Sequence, residues 1–223
     1  VRPEACEPYV AKGATAASTP AEVAARARVV SVMVQNEDQV RQVLSGPDGI
    51  LAAARPGTVV AVHSPISAEG AVALAAVAAD AGVALVDAPV SGGAMGAHDG
   101  TLAIMVGGEE AAVERCREPF ALMGTLVAHF GPVGAGTNAK ISRNLITFAS
   151  FAVVGEAQRL AEASGLDLGM LGDVVRHSDR ITGGAGAVML RTSAGPMADD
   201  DGLRPIFEHT ATLGGKDLHL ATE

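Results

Sequence analysis

The sequence predicts an α/β chain: a parallel sheet covered by helices, followed by an all-helical domain. Short apolar runs and helix-length runs alternate through residues 1–130 with brief connections, the pattern of strand–helix–strand units. From Thr137 to Ser164 the grammar changes, with no proline and Gly155 as the only glycine. Hydrophobic residues make up 48% and charged residues 18% of the 223, a balance that supports packed cores and excludes disorder.

The elements follow in order. Pro3–Lys12 and Pro20–Ala27 read as helices, and Val29–Val34 as a buried strand. Asn36–Leu44 is amphipathic and helical, Thr58–Val62 is the next strand, and Ala68–Ala81 is an alanine-rich helix. Ala84–Val86 is a strand running into a loop of Pro, Ser and Gly. Leu102–Val106, helix Glu109–Met123 and strand Thr125–His129 complete the series. The helix over 137–164 would span about 42 Å, more than a small sheet domain needs, so it opens a second domain. The expected domains are therefore 1–130 and 131–223. Gly165 stops that helix, Asp167–Arg176 follows as a shorter one, and Thr182–Gly202 reads mostly as loop.

Charge and composition exclude several functions. The net charge is −9, with acids spread along the chain, which argues against nucleic acid. The apolar run Leu145–Val154 is too short to span a membrane, and no secretory leader opens the sequence. Cys6 and Cys116 lie far from any Cys or His partner, and no histidines stand at metal-ligand spacing, so neither a disulfide framework nor a metal is expected. A cytoplasmic protein is the expectation.

Two stretches carry candidate chemistry. Asp87-Ala-Pro-Val-Ser-Gly-Gly93 sits at the carboxyl end of a predicted strand, where open α/β sheets place ligands. Its glycines free backbone N–H groups to converge on an anion, with the Ser91 hydroxyl beside them, although an ordinary strand-ending turn has the same composition. A triad of Ser91, His98 and Asp87 lacks the Gly-x-Ser-x-Gly elbow and is set aside. In the second stretch, Lys140 and Asn144 stand four apart on one helix face, near a helix start where the dipole helps depress a lysine pKa. Lysine occurs only at positions 12, 140 and 216 and asparagine only at 36, 138 and 144, which favours a role over a solvated helix start. Gly134-x-Gly136-x-x-Ala139 matches a loose dinucleotide fingerprint, but the helix after it leads to no further strand, so the match is read as a decoy.

With Gly100-Thr-Leu, Met105-Val-Gly-Gly108, Gly131-Pro-Val-Gly-Ala-Gly136 and Lys216-Asp-Leu218 in the same order, the chain resembles the β-hydroxyacid dehydrogenases, relatives of 3-hydroxyisobutyrate, tartronate semialdehyde and threonate dehydrogenases. The resemblance implies a Rossmann-like domain truncated at its amino end, because the usual Gly-x-Gly-x-x-Gly unit would precede Val1, and a helical domain like that of 6-phosphogluconate dehydrogenase. It implies that Ser91, Gly92 and Gly93 hold a substrate carboxylate and that Lys140 is the acid/base, with Asn144 orienting it and the substrate hydroxyl. Val34, Gln35, Ser64, Pro65 and Lys216 would approach an NAD or NADP cofactor. Val34-Gln35 and Ser64-Pro65 stand where the family has Leu-Pro and Ser-Thr, and Arg143 stands where asparagine is frequent. The implied activity is NAD(P)-dependent interconversion of a small 3-hydroxycarboxylic acid and its semialdehyde or keto acid, by a homodimer or homotetramer joined through the helical domain. Arg2 lies where a ribose 2′-phosphate could be met, so the cofactor choice stays open. The competing expectation is a noncatalytic chain of the same fold that has lost the dinucleotide and serves binding or assembly.

Overall fold

The computed structural model describes residues 3–184, 196–209 and 211–212. They fall into two compact units, Val1–Asn144 and Leu145–Glu223.

The first unit opens with α1 (Pro3–Val10) and α2 (Pro20–Ala24), the latter capped by Thr19, whose hydroxyl accepts from Glu22 N. Then β1 (Val29–Val32), β2 (Val59–Val62) and β3 (Ala84–Asp87) lie side by side in parallel, Val29 beside Val59 and Val59 beside Ala84. Helices α3 (Glu37–Ser45) and α4 (Ala68–Asp80) make the crossovers, capped by the Asn36 and Ser67 side chains. All four residues of β2 are buried because both faces of the sheet are covered. Val60 and Val62 pack with Val40, Leu44, Ile50 and Leu74 on one face. Val59 and Ala61 pack with Val86, Ile104, Val113, Cys116 and Phe120 on the other.

Beyond β3 the direction reverses. After β4 (Val90–Ser91) comes α5 (Gly93–Asp99), a short helix inside the segment read from sequence as loop, ended by Gly100 in the left-handed region. The ten residues 92–101 are too few for a crossover, so β5 (Leu102–Gly107) returns antiparallel to β3 and β4. Helix α6 (Glu110–Ala121) then carries the chain to β6 (Gly124–Gly131), parallel to β5. The sheet is therefore mixed in direction, where alternation alone suggested a parallel one, and the Rossmann-like order β1-β2-β3 is kept.

Helix α7 (Ala135–Ala163) is a single element. Its first turns belong with the sheet because Asp87, fully buried at the end of β3, accepts from Gly134 N at 2.7 Å and Thr137 N at 2.6 Å. That carboxylate fills the positive end of the helix. The approach is close: a Cβ on Gly136 would stand 2.7 Å from the Asp87 carbonyl oxygen and 2.8 Å from Gly107 N. In the second unit, α8 (Leu168–Thr182) starts with Asp167 accepting from Met170 N at 2.7 Å, and residues 204–209 are helical. Among the described residues no helix is long and apolar enough to cross a membrane.

Candidate active site

The carboxyl ends of β1, β2 and β3 adjoin, so the segments after them share one edge of the sheet. After β1, Val34 N donates to Ser64 Oγ at 2.6 Å, and Ser64 Oγ donates in turn to Val32 O at 3.4 Å. Ser64 is buried and Pro65 is exposed beside it. Gln35 N donates to Gln39 Oε1 at 3.0 Å. His63, which no spacing signal marked, ties the same edge together from below. Its Nδ1 lies 2.7 Å from Ala88 O, its Nε2 lies 3.1 Å from Ser31 Oγ, and its ring packs edge-on against Phe120. A carbonyl accepts only, so Nδ1 carries the hydrogen and Nε2 accepts from Ser31. Burial holds this histidine below its ordinary pKa and keeps it neutral.

After β3, the chain enters the Ser91-Gly92-Gly93 turn with φ of 135° at Gly92 and 65° at Gly93. These are left-handed values that glycine adopts without a steric penalty. No side chain caps α5 at Gly92, and both glycines are exposed. Lys140 reaches this turn from the second turn of α7: its Nζ donates to Val90 O at 2.6 Å, immediately before Ser91. The half-buried amine is held below its ordinary pKa, first by burial and then by the positive charge of Arg143. Asn144, one turn further along the same face, has its Oδ1 3.5 Å from Arg143 Nη1. Ser91, Gly92, Gly93 and Lys140 are thus brought together, with Asn144 on the face of Lys140. Val34, Gln35, Ser64 and Pro65 line the neighbouring strand ends. Lys216, with the Lys216-Asp-Leu218 motif, and Arg2 lie outside the described residues.

Asp87 is the residue whose part sequence reading missed. Its partners are backbone N–H groups 47 and 50 residues away, which leave no trace in side-chain spacing. It also explains the glycine pattern at 134–139, because that helix start is filled by the chain's own carboxylate. Both Asp87 oxygens being engaged there, and His98 bonding Asp99 on the surface, no Ser91–His98–Asp87 relay exists. Burial pushes the Cys116 thiol up to about 11, which removes it as a nucleophile. Among the described residues no group of three His, Cys, Asp or Glu side chains could hold a metal.

Residues 1–131 match the family model for the NAD binding domain of 6-phosphogluconate dehydrogenase. An uncharacterized oxidoreductase of Mycobacterium tuberculosis is 51% identical over 221 residues, covering 99% of this chain and 75% of that protein. The chain belongs to the β-hydroxyacid dehydrogenases. It is an NAD(P)-dependent oxidoreductase. A crystal structure from Mycobacterium avium 104 superposes with a TM-score of 0.92 at 45% identity, covering all of this chain (100%) and 79% of its own. The Mycobacterium tuberculosis 3-hydroxyisobutyrate dehydrogenase with L-serine superposes with a TM-score of 0.72 at 36% identity, covering 88% of this chain and 66% of its own. Met33, Gln35 and Pro65 are exposed beyond adjacent strand ends, where open α/β sheets place ligands, and Val34 between Met33 and Gln35 is partly buried against the core.

Proposed function

We propose that this chain interconverts a small 3-hydroxycarboxylic acid and its semialdehyde or keto acid, with Lys140 as the general acid/base. The observation that carries the reading is the 2.6 Å bond from Lys140 Nζ to Val90 O, which sets a depressed-pKa amine at the entrance to the Ser91–Gly93 turn. The Ser91 hydroxyl and the N–H groups of Gly92 and Gly93 receive the substrate carboxylate. Lys140 then faces the hydroxyl. Val90 O accepts one N–H of the amine in either charge state, which leaves the lone pair of the neutral form for the hydroxyl proton. In the reverse direction the ammonium returns that proton to the developing alkoxide. Asn144 holds the hydroxyl through its amide. NAD or NADP, when bound, supplies the hydride chemistry. Val34, Gln35, Ser64 and Pro65 hold the cofactor along the strand ends. The likeness to a 3-hydroxyisobutyrate dehydrogenase with L-serine supports a small carboxylate of this class.

The helical unit serves assembly as a homodimer or homotetramer. Leu145, Phe148, Phe151 and Val153 on α7 are 65–71% exposed within the chain, an apolar load that a subunit contact would cover. The cytoplasm is the matching compartment, since neither cysteine is in a disulfide.

The test pairs calorimetric titration with NAD and NADP against turnover of 3-hydroxyisobutyrate. Lys140→Met is expected to bind the cofactor as the parent does while losing roughly a thousandfold in kcat/KM. Full activity in that variant would end the reading.

A further inference from the structure

The backbone ladder joining β1, β2 and β3 ends where His63 N donates to Val32 O at 2.9 Å and Ala88 N donates to Val62 O at 2.8 Å. Past that point the segments part: residues 33–35 and Pro65 follow the side assigned above to the cofactor, and residues 89–93 form the substrate turn. Two adjacent side chains carry the hydrogen bonding onward. Ser64 Oγ accepts from Val34 N at 2.6 Å on the cofactor side. His63 Nδ1 donates to Ala88 O at 2.7 Å, while its Nε2 accepts from Ser31 Oγ on β1 at 3.1 Å. The imidazole therefore bridges β1 and the segment after β3, across β2. It is buried and lies edge-on to Phe120, with ring centroids 5.5 Å apart, so close packing fixes its orientation. Two residues beyond Ala88, Val90 O holds the Lys140 amine. One connected line thus runs from Ser31 through His63 and Ala88 to the acceptor of Lys140 Nζ.

We propose that His63 is a positioning residue that sets the spacing between the cofactor wall at the ends of β1 and β2 and the turn that holds the substrate. The inference rests on the reading of Lys140 and the Ser91–Gly93 turn as the substrate site. Neither wall needs the imidazole in order to bind, because Ser64 holds Val34 by itself and the anion contacts come from Ser91, Gly92 and Gly93. The imidazole fixes how far apart the two walls stand, and a displacement of about 1 Å between reacting groups costs up to about a hundredfold in rate.

The test uses three variants. His63→Leu loses both bonds. His63→Asn carries an amide NH2 where Nδ1 stands and keeps the donor to Ala88 O. Ser31→Ala removes the partner on β1 at an exposed position. Calorimetry gives the Kd for NAD and NADP, and kcat and KM are measured with 3-hydroxyisobutyrate. His63→Leu is expected to lose about ten- to a hundredfold in kcat while cofactor Kd and substrate KM stay within about threefold of the parent. His63→Asn should regain most of that loss. Ser31→Ala should lower kcat by about threefold in the parent and no further in His63→Leu, a non-additivity that general loosening of the fold does not produce. In the cofactor-free chain, Ser31→Ala should shift the amide NMR resonances of Gly92 and Gly93, and should leave them unmoved when made in His63→Leu. If His63→Leu does not fold, His63→Asn, which also lacks the Ser31 bond, takes its place in the cycle. Full kcat in His63→Leu, a Kd or KM that worsens in step with kcat, additive effects of Ser31→Ala and His63→Leu, or Gly92 and Gly93 resonances unmoved by Ser31→Ala overturns the role of His63. Lys140→Met separates the two claims: full activity there ends the Lys140 reading, whereas lost activity there with parent-like His63 variants leaves that reading standing and ends the role of His63. Absence of turnover in the parent ends the substrate assignment and leaves His63 to be decided by the Gly92 and Gly93 resonances.

Discussion

That Lys140 and Asn144 share one helix face was legible because a helix places residues four apart one above the other. Asp87 and His63 were not, since each acts through backbone groups or through residues distant in sequence. Both make predictions of their own. Asp87→Ala strands the buried N–H groups of Gly134 and Thr137, so the urea midpoint should fall by the equivalent of about 3 kcal/mol. Asp87→Asn keeps one acceptor and should cost less. For His63 the folded pKa is depressed below the unfolded value of 6.5. Below pH 6.5 the unfolded chain takes up a proton that the folded chain refuses, so stability is complete above that pH and declines as pH falls from 6.5 toward the folded pKa. Melting curves across this window should show the decline, and His63→Gln should flatten it.

At the scale of elements, α7 decides the geometry of the site. Its position was legible in outline, as a helix over 137–164 against the observed Ala135–Ala163, but its docking was not. Docking depends on backbone meeting backbone at Gly136 and Gly107, where no side chain pattern operates. Gly136→Ala should destabilise by about 1–3 kcal/mol through overpacking. Because Lys140 is one turn further on, it should also lower kcat/KM by up to about a hundredfold, as small displacements of a catalytic group do. Gly155→Ala in the same helix is the contrast: a Cβ there meets nothing within 4 Å, and removing the glycine should stabilise the helix by up to about 1 kcal/mol. Thermal melts of the two variants should move in opposite directions. The reversal at β5 was hidden for a related reason. Strand-like runs look alike in either direction, and only the shortness of residues 92–101 distinguishes a return from a crossover.

At the scale of the whole molecule, alternation of strands and helices followed by a long proline-free stretch was enough to read a sheet domain and a helical region. The reading placed their boundary at residue 130, where the strands end. The compact units instead meet at Asn144, because Asp87 and the close approach at Gly136 hold the first turns of α7 to the sheet. That arrangement keeps Lys140 and Asn144 in the same unit as the Ser91–Gly93 turn. For the helical unit, the exposure of Leu145, Phe148, Phe151 and Val153 predicts self-association. Light scattering should give a dimer or tetramer, and Phe148→Glu combined with Phe151→Glu should shift the mass toward the monomer.

The central claim is that Lys140 moves the substrate proton, and its most direct measurement is the pH dependence of kcat/KM for alcohol oxidation. Oxidation needs the neutral amine, so the rate should rise with pH and level off at a pKa below the ordinary lysine value of 10.5. In Arg143→Met that inflection should move upward, since one of the two causes of the depression is gone. A profile that is flat through this range, or an inflection unmoved by Arg143→Met, would contradict the account.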